Sequence, residues 1–234
     1  MWCYFILFFF ISTFCFSAVE ENLSLRYFPN SINYSLKGKY NVTDEPNNIN
    51  SAFQFINHIQ TNAWIESGGT VGLELIYSPI PIIELLTAST YTYRYYELHP
   101  LDCDLVQCEG LIKQDILSLS IQAKLAGFFL RLTETREWFE LKNDKDNFMI
   151  VDGPLYGEGE KDILTKYTGV LGYEFSKDYS LLVLYRYGRV KKTDLNYEFY
   201  YLVYQFLKDY RFGLGFHQSS LGERSPSAIF SIDF

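Results

Sequence analysis

The chain has 234 residues, 18% aromatic and 48% hydrophobic, with a formal net charge of -8 and four cysteines. A mean hydropathy of only -0.06 in so aromatic a chain means that apolar residues are interleaved with polar ones rather than gathered into runs. The negative charge and the lack of a basic patch argue against nucleic acid as a partner, and past the leader nothing supplies the roughly 18 apolar residues that a membrane-spanning helix needs.

The first element is that leader. Residues 2–18 are apolar around Phe5-Ile-Leu-Phe-Phe-Phe-Ile11 and end in Ser17 and Ala18 before Val19-Glu-Glu, the length and order of a secretory signal peptide. Residues 1–18 are expected to be removed and 19–234 to form one domain. No Lys or Arg precedes the apolar run, so a retained N-terminal anchor is the alternative. Removal leaves Cys103 and Cys108, whose short separation suits a disulfide clipping one loop in an oxidising compartment. A metal pair with His99 is the rival, although two thiols and one His do not complete a zinc site.

Strands are read from parity, because side chains two apart share a face. Residues 32–40 set Ile32, Tyr34, Leu36 and Tyr40 against Asn33, Ser35, Lys37 and Lys39. Residues 41–68 read as one long loop; strands at Phe53 to Glu66 and at Leu23 to Phe28, or an amphipathic helix over Ser51 to Ile59, are the other readings. In 70–78 the apolar set is Val71, Leu73, Leu75 and Tyr77, against Glu74. In 82–95 Ile83, Leu85, Tyr91, Tyr93 and Tyr95 oppose Glu84, Ala88, Thr90 and Arg94. Residues 115–125 set Leu117, Leu119, Ile121 and Leu125 against Ser118, Ser120, Gln122 and Lys124, and 127–140 set Phe128, Leu130 and Leu132 against Arg131, Thr133 and Thr135.

The second half repeats the pattern. Tyr167, Leu171, Tyr173 and Phe175 oppose Lys166, Thr168, Gly172 and Glu174; Tyr179, Leu181, Val183 and Tyr185 oppose Ser180, Leu184 and Arg186. In 195–207 Leu195, Tyr197, Phe199, Tyr201 and Val203 are taken as the apolar set against Asn196, Glu198, Tyr200 and Tyr204. Tyr210, Phe212, Leu214 and Phe216 then oppose Arg211, Gly213, Gly215 and His217. In the last strand Ala228, Phe230, Ile232 and Phe234 oppose Ser227, Ile229, Ser231 and Asp233.

Strand-centre charges thus gather on one face: Glu74, Glu84, Arg94, Lys124, Arg131, Lys166, Glu174, Arg186, Glu198, Arg211 and Asp233. From residue 82 onward, tight turns at Ala126, Ser176-Lys-Asp178 and Lys208-Asp209 alternate with longer links at 96–114, 141–162, 189–194 and 218–225. Alternation, loop asymmetry and the terminal aromatic together resemble bacterial outer-membrane β-barrels, whose side chains face lipid and lumen in turn. The resemblance implies an all-β, single up-and-down antiparallel barrel of about ten strands, with eight or twelve as alternatives. It implies that Phe230, Ile232 and Phe234 form the signal read by the barrel assembly machinery. It also implies a place in the outer membrane among lipid and lipopolysaccharide, whose phosphates the Lys191-Lys192 rim pair could meet.

For function, the charged face reads as a lumen of mixed sign. One reading is a structural plug of ion pairs; the other is a narrow, porin-like passage filtered by these charges, with outer loops free to bind a ligand. No cofactor is expected. The alternatives are a secreted soluble barrel holding an apolar ligand and an outer-membrane hydrolase. The hydrolase would draw on His58, His99 or His217, of which His217 has Ser219 and Ser220 beside it, but nothing there resembles a nucleophile elbow.

Overall fold

The computed structural model describes residues 18–26, 31–41, 58–66, 69–94, 110–141, 147–150, 155–206 and 210–233, with the backbone alone over 18–41. The leader calls, apart from Ala18, together with His99, Cys103, Cys108 and Phe234, lie outside these residues. In chain order the strands are β1 (Ala18–Arg26), β2 (Ser31–Asn41), β3 (His58–Glu66), β4 (Thr70–Ile80), β5 (Ile83–Arg94), β6 (Gly110–Leu125) and β7 (Phe128–Leu141). The short β8 (Asn147–Ile150) and β9 (Leu155–Glu158) follow, then β10 (Lys161–Ser176), β11 (Tyr179–Val190), β12 (Asn196–Phe206), β13 (Tyr210–Ser219) and β14 (Gly222–Asp233). Twelve of them close into one barrel in the order β1-β14-β13-β12-β11-β10-β7-β6-β5-β4-β3-β2, and β8 and β9 form a separate hairpin.

The count is therefore twelve, not ten. The reading of 41–68 as a single loop is corrected by β3, which pairs Leu36 with Ile65 on one side and Ile65 with Val71 on the other. Ala18–Arg26 is a strand as well, and it closes the ring: Asn22 to Arg26 pair with Asp233 back to Ile229. With β3 in place the 42–57 link falls at the end that holds both chain termini, together with the tight turns. The short-and-long asymmetry of the connections holds only from β4 to β13; the longer link expected at 218–225 is instead the two-residue turn Ser220-Leu221 between β13 and β14. One of the tight turns, Ala126-Gly127, has both residues at positive φ (50° and 84°), the twist a two-residue hairpin requires.

Parity then sorts the side chains. Leu73 (67% exposed), Leu119, Leu130, Leu171, Val183, Leu202 and Leu214 all point outward and stay exposed. Toward the terminal end this band finishes in rings: Phe128 and Tyr173 lie 4.6 Å apart and Tyr173 and Phe175 5.0 Å, while Phe206 stacks on Tyr210 at 5.3 Å. An apolar surface of that continuity belongs against lipid or a partner rather than water. Buried residues lie on the inner face instead, around Leu164, Val190, Tyr197, Phe199 and Tyr201.

One strand reverses the expected facing. On β12, Tyr200, Leu202 and Tyr204 are exposed, whereas Tyr197 (0%), Phe199 (3%) and Tyr201 (4%) are buried inside. The cause lies on the neighbouring strands, which present glycine inward where those rings sit. Gly188 is paired with Tyr197 and Gly215 with Tyr201, and a β-carbon at Gly188 would strike the Tyr197 ring.

Candidate functional site: the lumen

The inner face has two unlike walls. On β3 to β7 it is polar except at the loop end, where Ile112, Phe139 and Leu141 join the apolar cluster, and hydroxyls are bonded across the ladders: Thr70 to Thr92 at 2.9 Å, Ser118 to Thr135 at 2.6 Å and Ser120 to Thr133 at 2.9 Å. On β10 to β14 it is apolar, built from Leu164, Leu184, Val190, Tyr197, Phe199, Tyr201, Val203 and Ile229. The Tyr201 hydroxyl is satisfied there by Ser227 Oγ at 2.6 Å. His217 belongs to this second wall, 2% exposed and packed against Phe199 with ring centroids 4.4 Å apart and tilted by 31°. Its expected partners are engaged in the adjoining turn: Ser219 Oγ accepts the Leu221 amide at 3.0 Å, and Ser220 Oγ accepts the Asn196 amide at 3.0 Å.

Most of the predicted lumen charges arrive where parity placed them, and they pair along the wall. Arg131 on β7 reaches over β6 to Glu84 on β5, 2.5 Å away, and also donates to Ser120 Oγ at 3.1 Å. Lys124 on β6 reaches over β7 to Glu174 on β10 at 2.7 Å. Glu74 accepts from the Asn62 amide at 2.6 Å, and Arg186 donates its Nε–H to Thr168 Oγ1 at 3.3 Å. Arg211 shares the inner parity of Gly213 and sits at the terminal end, opposite Gln205 and Ser231. Glu198 is a correction. It follows β12 to the outside, where it accepts the Tyr200 hydroxyl at 2.6 Å. Arg94 and Asp233 end β5 and β14, and their side chains lie outside the described set.

Two inner acids escaped the sequence reading. Glu137, on the loop-end half of β7, pairs with Lys166 diagonally across the β7–β10 ladder, with side-chain exposures of 3% and 15%. Asp162, 3% exposed at the start of β10, accepts three backbone amides: Glu158 at 3.0 Å, Ile163 at 2.7 Å and Lys192 at 3.2 Å. Those bonds fasten the β8–β9 hairpin. Lys192 Nζ holds the Glu158 carbonyl at 3.0 Å and Thr193 Oγ1 the Tyr156 carbonyl at 3.1 Å. The hairpin's Phe148, Ile150 and Leu155, each 0% exposed, pack with Ile112, Phe139 and Leu141 from the inner face. A hairpin inside the 141–162 link thus folds into the mouth and thickens the apolar wall at the loop end. The signal for it was present as Phe148-Met-Ile150 and Leu155, too apolar for a solvated loop.

Pairing also sets the proposed assembly residues. Phe230 stands between Phe212 and Leu25, and Ile232 between Tyr210 and Leu23, both on the apolar outer parity.

No family model and no curated protein matches the chain. Among solved structures it is similar to the NanC porin, at 10% identity and a TM-score of 0.45 over 93% of this chain and 99% of that one. It is also similar to the KdgM porin in complex with disordered oligogalacturonate, at 9% and 0.43 over 92% and 97%. A further likeness is to the transport unit of the autotransporter AIDA-I from Escherichia coli, at 10% and 0.46 over 93% and 89%. At such identities and scores none of these likenesses bears on what the lumen does.

Proposed function

We propose that the chain is an outer-membrane barrel whose lumen is a narrow, porin-like passage for small polar solutes. The observation that carries this reading is the contrast between the two inner walls. The polar wall keeps its charges in solvent, with side-chain exposures of 60% for Lys124 and 40% for Arg131 and Thr133 half-buried, while Asn62, Thr90, Ser118 and Ser120 are buried. The opposite wall is sealed by the aromatic cluster and the inserted hairpin. Eight strands give an interior that side chains can fill, and a channel is plain at sixteen; twelve leave room for water beside a filled half. The exposed apolar band with its aromatic edge supports the membrane setting, lipid and lipopolysaccharide being the surroundings and the barrel assembly machinery the route in. The role is passage rather than catalysis, since the serines beside His217 are bonded into a turn.

Purified protein in planar bilayers should give small, steady steps of current. Silence from a barrel that shows heat-modifiable migration in detergent gels would mean that the charged set is a plug, and the passage would be abandoned. Recovery in the periplasm or medium, without outer-membrane fractionation, would remove the membrane setting itself.

A further inference from the structure

Near the loop end of β12 to β14 the outer face carries an acid and a base that sit close together without pairing. Glu198 on β12 is half-buried among tyrosines. It accepts the Tyr200 hydroxyl at 2.6 Å and lies opposite Tyr187, and the Tyr200 ring meets that of Tyr185 at 4.9 Å. Two strands on, Arg224 of β14 holds its guanidinium 4.4 Å from the centre of the Phe216 ring. The intervening β13 links the two charges, because Phe216 is paired with Tyr200 and Gln218 with Glu198. Neighbouring strands lie about 4.8 Å apart, so the two backbones are separated by about 10 Å, and both side chains lean on rings that stand between them. Among the described residues neither Glu198 nor Arg224 has an ion-pair partner; an aromatic side chain holds each instead. Toward mid-height on the same strands the exposed row Val183, Leu202 and Leu214 begins the apolar band.

We infer that this patch seats the headgroup of a phosphoethanolamine lipid, with the ammonium on Glu198 and the phosphate on Arg224. The inference rests on the membrane setting proposed above and adds which lipid the outer face selects. At the edge of an apolar band the low dielectric strengthens a carboxylate's attraction for a cation, and an ammonium brings N–H donors to Glu198 beside tyrosine faces that attract positive charge. The planar fork of Arg224 matches the oxygens of a phosphate in geometry and in charge. In this headgroup the two ionic groups are joined through two carbons, which suits opposite charges held on one face with rings between them. A purely anionic head satisfies Arg224 but meets repulsion at Glu198, and a purely cationic one does the reverse. The row of Val183, Leu202 and Leu214 then continues from the head into the region of the acyl chains. The inference concerns the outer face and stands whether or not the lumen passes current.

The test uses the full chain, folded in detergent micelles and checked by heat-modifiable migration. It is mixed with phosphatidylethanolamine and phosphatidylglycerol of the same acyl chains, and the lipid retained is counted by native mass spectrometry. The wild type should retain one phosphatidylethanolamine about tenfold more tightly than phosphatidylglycerol, as one charge-assisted hydrogen bond implies. Glu198→Gln should abolish that preference, and Arg224→Gln should weaken phosphatidylethanolamine by about tenfold on the same ground. The two variants lie on different strands, so either keeps the test valid should the other fail to fold. Arg136→Gln is the control, because its guanidinium is already paired with Glu134 on the outer face of β7; it should bind as the wild type does. Equal retention of the two lipids by a heat-modifiable barrel, or an unchanged preference in Glu198→Gln, would overturn the headgroup site and leave the membrane setting standing. A dimer that Glu198→Gln dissolves would do the same, since a second copy would then cover the patch. A chain that stays soluble without detergent and has no heat-modifiable form would overturn the membrane setting and the headgroup site with it.

Discussion

Two lysine–carboxylate pairs of the same chemistry sit at opposite ends of the inner wall, and their burial makes different demands on stability. Lys166 and Glu137 retain 15% and 3% of their side-chain exposure, Lys124 and Glu174 60% and 38%. Lys166→Met would strand a carboxylate that burial has already stripped of water, a loss of about 3–5 kcal/mol when one partner of a buried pair is removed. Lys124→Met removes a pair that solvent screens on both sides, worth about 1 kcal/mol or less. Removing both members of the buried pair, as Lys166→Met with Glu137→Leu, should restore most of the loss, because the uncompensated charge goes with its partner. Urea unfolding of the barrel in lipid vesicles, followed by the fluorescence of Trp64 and Trp138, measures all three. Equal losses for the two single variants, or a double variant no more stable than Lys166→Met, would show that the loop end does not shield this pair and that water reaches Glu137.

Facing can be tested on one strand: Val183→Arg should lower the folded, heat-modifiable fraction, since a cation at mid-depth in lipid costs about 2–4 kcal/mol, whereas Arg186→Leu should leave it near normal. Asp162→Ala should release the hairpin, which Asp162 ties down through the Glu158 amide, and enlarge the conductance step; an unchanged step would separate the hairpin from the passage. Gly188→Val should lose roughly 1–3 kcal/mol by forcing the Tyr197 ring aside, while Gly169→Val, whose β-carbon meets only Leu132 Cδ2 at 3.6 Å, should be tolerated. Deleting Phe234 or changing it to Asp should reduce insertion, measured as outer-membrane level; normal levels would remove its role in assembly.

Where one face is apolar and the other polar, the sequence was enough to place a strand and its facing, as on β6, where Leu117, Leu119 and Ile121 alternate with Ser118, Ser120 and Gln122. The pattern fails where contrast disappears. On β3 the outward positions include Thr61 and Ala63 and an inward one is Trp64, so neither face stands out. On β12 both faces are aromatic, and Glu198 alone drew the assignment toward the wrong side. The decisive clue lay on β11 and β13, where Gly188, Gly213 and Gly215 share the inner parity and require bulky partners opposite. Where parity was clear, as at Glu84, Lys124, Arg131 and Glu174, the charge lies on the inner face. Glu137 and Asp162 were missed because they lie beyond the alternating centres, toward the loop end where an inserted hairpin rather than lipid defines what is buried.

The ring has one ladder unlike the rest. Almost every other pairing joins strands adjacent in the chain, so each can form as a local hairpin, but β1 meets β14 through five residue pairs drawn from opposite ends of the sequence. Joining segments roughly 200 residues apart costs about 3–4 kcal/mol more in chain entropy than closing a turn of a few residues, taking the logarithmic dependence on loop length. Five rungs repay that slowly when neighbouring hairpins are absent and quickly when they already hold the two edges side by side. The order of events follows from this: hairpins first, the circle last. Until β14 is complete the growing sheet carries two open edges, and anything that shelters them sets the rate at which this protein reaches its final form.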